Sequence, residues 1–103
     1  MKSDPIADLR RFLAEAAELS KRGRAAFDSD HMLELAALAI ITRVGEAANR
    51  VPDERRADYP DVPWRSMVGM RNRLVHDYDM IDYDLVWEVI ARHIPKIAAN
   101  LQR

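Results

Sequence analysis

Three side chains in the second half of the chain, Arg71, His76 and Tyr78, have types that could act on a phosphodiester, with Asn72 directly beside the first. Arginine supplies a planar, permanent cation for the charge of a phosphorane. An imidazole, with an ordinary pKa of about 6.5, carries protons at neutral pH, and a carboxamide can orient a substrate by hydrogen bonding. On a helix advancing about 100° per residue, His76 stands about 140° round from Arg71, Asn72 shares the face of His76, and Tyr78 returns near the Arg71 azimuth two turns on. If helical geometry persists, the four line one edge of a helix end. Each also has a plain structural explanation: a helix C-terminus favours a histidine, and a tyrosine can cover a core edge with its hydroxyl in water.

Arg71 is the residue in the wrong place. Trp64, Met67, Val68, Leu74, Val75 and Tyr78 fall within one broad apolar arc of the helix that carries it, and Arg71 lies in the middle of that arc. Desolvating an unpaired guanidinium is costly, so something must compensate it. Either a buried carboxylate pairs with it, with Glu46 the best candidate, or a groove brings it to solvent and an anionic ligand. The two can coexist if Glu46 orients Arg71 from behind.

The elements that must position these residues are helical. Ser3-Asp4-Pro5 is a helix start, followed at helical spacing by Ile6, Leu9, Leu13 and Ala16, with Gly23 as the stop. Asp28-Ser29-Asp30 caps a second helix from His31 to about Arg50. It is apolar around most of its circumference, interrupted late by Thr42, Arg43, Glu46 and Asn49, as befits a helix in the middle of something. Val51-Pro52 ends it, and Asp53 to Tyr59 is a connector with room for a short helical turn. A third helix is expected from Pro63 to about His76, and a fourth along Tyr83, Val86, Val89, Ile90, Ile94, Ile97 and Leu101, kinked by Pro95. With no strand-like alternation, the expected fold is all-α: one antiparallel bundle of four principal helices over residues 1–103.

Bulk properties set limits. A chain of 103 residues with 49% hydrophobic composition has one core and no second ordinary domain. Sixteen Lys+Arg nearly balance 17 Asp+Glu, so an RNA site must be a local patch. The basic residues are 13 Arg to 3 Lys; this suits bidentate phosphate recognition, although genomic base composition explains it as well. The lack of cysteine excludes disulfides, thiolate metal sites and a cysteine nucleophile. With neither a signal peptide nor a membrane-spanning apolar run, a cytoplasmic protein is expected.

Arg71-Asn72-Arg73-Leu74-Val75-His76-Asp77-Tyr78 resembles the Arg-x-x-x-x-His-x-Tyr motif of HepT toxins in the HEPN superfamily. Val44-Gly45-Glu46-Ala47-Ala48-Asn49-Arg50 is similar to that family's Ile-Gly-Glu-Ala-Ala segment. Val62-Pro63-Trp64-Arg65 through Gly69-Met70-Arg71-Asn72 resembles its approach to the motif, and Asp82-Tyr83-Asp84-Leu85-Val86-Trp87 the start of its last long helix. The resemblance implies a HEPN-like bundle that homodimerises, with two motifs facing across the two-fold, and a type VII toxin that cleaves tRNA or mRNA without metal or other cofactor. Arg71 and His76 would be the catalytic pair, with Asn72, Glu46 and Arg73 in support. The implied partner is an MntA-like nucleotidyltransferase antitoxin that transfers AMP to the motif tyrosine, here Tyr78.

Two other readings compete. A non-catalytic helical dimer could hold a nucleotidyltransferase or RNA, and Asp77, Asp79, Asp82 and Asp84 favour it, because carboxylates beside the motif repel RNA unless they face away. The same aspartates could bind magnesium or calcium, but they match no dedicated loop and lack the central glycine of an EF-hand. His31 and His93 have no companion motif and are set aside.

Overall fold

A computed structural model describes residues 4–77 and 80–102, with the backbone alone at 76 and 77. Helix α1 (Pro5–Ser20) opens where expected, with the Asp4 carboxylate accepting from the Ile6 N–H at 3.0 Å and Pro5 in the first turn. Gly23, at φ 87°, ends that run in a conformation an L side chain rarely adopts. The short helix α2 (Arg24–Ser29), which the sequence did not announce, follows at once. Its physical reason is Phe27, fully buried with its ring 5.2 Å from that of Trp87.

The long helix α3 (His31–Arg50) is capped by Asp30, whose carboxylate accepts from the Met32 N–H at 2.9 Å. It packs against α1 and α2 on one side and against the later helices on the other. Ala37, Ile41, Val44, Ala47 and Ala48 are fully buried along it. The second half is the more enclosed. In the first half Met32 is 65% exposed and Leu35 40%, and Ala36 and Ala39 are open beside them.

The expected turn in the connector is α4 (Asp53–Arg56). Arg56 donates to the Ala48 carbonyl at 2.9 Å and lies over the Trp64 ring, whose indole N–H donates to the Tyr59 carbonyl at 3.1 Å. Arg10 closes the far side, donating at 3.1 Å to both the Tyr59 hydroxyl and the Leu101 carbonyl. The connector is therefore clamped to α1, α3 and the chain's last helix.

The third expected helix departs most from its sequence pattern. It divides at Gly69 into α5 (Trp64–Val68) and α6 (Met70–Leu74), and it stops two residues before His76. Val75 turns extended, and β1 (Val75–Asp77) pairs antiparallel with β2 (Met80–Ile81). A β-branched residue followed by acidic ones explains the stop, because carboxylates oppose the negative end of a helix dipole. The Asp82 N–H donates to the Leu74 carbonyl at 2.9 Å and closes the hairpin.

The last stripe forms α7 (Tyr83–Glu88), a π turn (Val89–His93) and α8 (Ile94–Asn100). The kink expected at Pro95 takes the form of that wide turn. The Ile94 N–H reaches back five residues to the Val89 carbonyl just before the proline, which has no N–H to donate. The fold is thus the expected all-α bundle, with one small hairpin inserted. Among the described residues, no helix is long and apolar enough to cross a membrane.

Ile41, fully buried on α3, tests this core most simply. Ile41→Ala should cost about 2–5 kcal/mol of unfolding free energy in urea titrations, against a small change for Ala14→Ser at an exposed position of α1.

Candidate active site

The site is built where α5 and α6 cross α3. Gly45 makes the crossing: a Cβ there would stand 3.0 Å from the Met67 carbonyl oxygen and 3.5 Å from that of Val68, so α5 lies closer to α3 than a side chain would ordinarily allow. Met67, on α5, is fully buried, and Met70 and Leu74 hold α6 against the core. Gly69, at φ −92° and ψ 5°, breaks the helix between them, and the Asn72 N–H donates back to its carbonyl at 3.2 Å. The break re-aims α6 relative to α5.

Arg71 and Asn72 reach the solvent side of this crossing. With Val68 they face Thr42, Gly45, Glu46 and Asn49 of α3 across a shallow cleft of about 200 Å³. A second depression of about 370 Å³ shares Thr42, Glu46 and Arg71 with the cleft and extends along α3 through Leu38 and Ala39 to Leu35. Of the two ways to accommodate Arg71, the structure takes the groove. Arg71 and Glu46 are both exposed, and among the described residues Arg71 has no hydrogen bond or ion pair, to Glu46 or to any other group.

Arg73 goes elsewhere. Its guanidinium donates to the Ser66 carbonyl at 3.0 Å and lines a separate cavity on another face of α6, so it is not brought to the cleft with Arg71. The helix expected to run to His76 ends at Leu74, so helical azimuth does not relate His76 to Arg71. The backbone of His76 lies in β1. Val75 pairs with Ile81 and Asp77 with Met80, so the ladder slips by one residue at His76, a bulge of the kind that often lies next to active sites. The side chain of His76 and the whole of Tyr78 lie outside the described residues.

The acidic stretch beside the motif is partly committed. Asp82 caps α7, accepting from the Leu85 N–H at 3.0 Å, and Asp84 pairs with Arg24. Arg24 also holds Asp28 at 2.9 Å, and that hydrogen bond, with Asp84 adding to it, raises the pKa of the guanidinium. These two carboxylates serve structure, and Asp77 and Asp79 fall among the side chains not described. Among the described residues, no three His, Asp or Glu side chains gather as a metal site.

Thr42, Asn49 and Val68 were not singled out as site residues. The signal was present for two of them: Thr42 and Asn49 stand four residues before and three after Glu46, on its face of the helix.

Residues 5–103 match the profile of a family described as "Ribonuclease HepT-like". The chain is 36% identical over 76 residues to "Putative RNase MJ1380" of Methanocaldococcus jannaschii, covering 74% of this chain and 70% of that one. It is 35% identical over 76 residues to "Putative RNase TTE0752" of Caldanaerobacter subterraneus, covering 74% and 68%. A third relative, "Probable ribonuclease HepT" of Thermococcus cleftensis, is 27% identical over 77 residues, covering 75% and 70%. No solved structure matches the chain.

The crossing itself can be tested. Gly45→Val places methyl groups against the Met67 and Val68 carbonyls, so α5 must move. Thermal and urea unfolding should show a loss of about 1–3 kcal/mol, an overpacking cost that Gly69→Ala, with nothing near its Cβ, should not share.

Proposed function

The chain belongs to the HepT-like ribonuclease family, and on that premise we propose that it is a metal-independent endoribonuclease toxin whose reacting groups are Arg71 and His76. The observation that carries the reading is an exposed guanidinium without a partner among the described residues, set in a cleft on a helix crossing that the fold holds tightly. Cleaving RNA through its own 2′-hydroxyl requires a base for that proton. The 2′-oxygen then attacks phosphorus, and the departing 5′-oxygen takes a proton from an acid, leaving a 2′,3′-cyclic phosphate and a 5′-hydroxyl. Arg71 stabilises the phosphorane, and Asn72 and Glu46 orient substrate and guanidinium from the same cleft.

One histidine cannot be base and acid in the same step, but a two-fold dimer supplies two. The apolar first half of α3 supports such a dimer. Met32, Leu35, Ala36 and Ala39 are uncovered, and the depression that begins at Leu35 ends at Arg71. Pairing two copies across this face would set two Arg71 side chains around one phosphate. We extend the reading to regulation: an MntA-like nucleotidyltransferase antitoxin adds AMP to Tyr78, and the added bulk and negative charge repel RNA from the clamp. The substrates on this reading are cytoplasmic, tRNA or mRNA.

Protein shown by intact mass to be unmodified at Tyr78, incubated with total cellular RNA in EDTA, should give discrete fragments. Arg71→Ala and His76→Ala should each lower the rate by about 10²-fold or more. If wild type and both variants leave the RNA alike, the nuclease reading fails and a non-catalytic dimer that binds RNA or a nucleotidyltransferase takes its place. Leu35→Glu should shift the protein from dimer to monomer in sedimentation and remove cleavage with it; a monomeric variant of full activity would overturn the dimeric site.

A further inference from the structure

A further cavity lies away from Arg71. It has a volume of about 510 Å³, within the range of small-molecule sites, and opens between α5–α6 and the last helical stretch. Its apolar wall comes from Met70, Leu74, Leu85, Val89 and Ile97, of which Leu74 and Ile97 are almost wholly buried. Cationic groups stand on both sides of it, Arg73 on α6 and Lys96 on α8, and His93 joins Lys96 one turn earlier.

Those cations are not neutralised by the fold. Among the described residues, neither Arg73 nor Lys96 is in an ion pair. Arg73 gives one N–H to the Ser66 carbonyl, which fixes the guanidinium and leaves its other donors available. One carboxylate, Asp61, also lines the cavity, and its backbone carbonyl accepts from the Asn100 side chain at 3.3 Å. A guanidinium, an amine and an imidazole against one carboxylate leave the mouth rich in basic groups above an apolar interior. No phenyl, phenol or indole ring lines it among the described residues, so a nucleobase would find no such ring to stack on.

We propose that this cavity is a binding site for a small amphiphilic anion, with a phosphate or carboxylate head held by Arg73, His93 and Lys96 and an aliphatic body against Leu74, Leu85 and Val89. The site does not depend on the nuclease reading. It uses a different face of α6 from the one that carries Arg71.

Octyl phosphate, kept below its micelle concentration and titrated into the full chain by calorimetry with amide NMR shifts recorded in parallel, tests this. Saturable binding at one site per chain is expected, with shifts centred on Leu85–Asn100. Octanol and inorganic phosphate should each bind at least about tenfold more weakly, since each lacks one half of the recognition. Lys96→Glu and Arg73→Gln, both exposed positions, should weaken octyl phosphate by about tenfold while leaving the melting temperature unchanged. Absence of saturable binding, equal binding of octanol, or indifference to both variants would overturn the proposal. So would displacement of octyl phosphate by a short RNA, which would make the cavity an RNA contact.

Discussion

The close approach of α5 to α3 at Gly45 is the constraint on which the rest of the architecture hangs. Helix α3 packs against α1 on one side and the later helices on the other, and Gly45 lies on its face toward α5. Because no Cβ intervenes, the α5 backbone lies almost on the α3 surface, and Met67 is buried completely. Gly69 then lets the chain change direction, with Met70 and Leu74 anchoring α6. The position of Arg71 follows from these contacts and not from any bond of its own.

Several arginines fasten the fold. Arg10 and Arg56 donate to backbone carbonyls and fasten the connector, Arg50 reaches the buried Asp8 at 3.4 Å, and Arg24 joins α2 to the start of α7. Arg10 and Arg56 thereby satisfy backbone acceptors, and Arg50 a buried carboxylate. Arg71 does none of this within the described residues, yet it occupies an azimuth where an arginine is costly unless a groove admits solvent. Its helix is anchored by Met70 and Leu74, and its donors stay available to an anion. Nearby, an apolar helix face remains open at Leu35, and the proposed dimer rests on these two features.

Much of this was legible in the sequence. Asp4 and Asp30 are caps at the positions their side chains imply, and the turn at Asp53–Arg56 falls inside the polar connector. Arg71 stood out because its neighbours at helical spacing are apolar, and the groove answers that anomaly. The failures have physical causes. Periodicity carried the third helix through to His76, since Val75 fits its apolar arc, but it does not register the dipole cost of the acids beyond. Phe27 lies in too short a segment to show a period, so α2 was missed. Arg73 stands two residues, about 200° of helix, from Arg71, and its guanidinium turns to Ser66.

The central claim is that the reacting groups act in pairs contributed by two chains. The most direct measurement is the cleavage rate of a homogeneous RNA after equal amounts of wild type and an Arg71→Ala/His76→Ala double variant have exchanged subunits to equilibrium. If each site needs both chains, only wild-type pairs cut, and the rate falls to about one quarter of that of the same total protein in wild-type form. A rate of about one half would mean that each chain cuts alone, and would contradict the account.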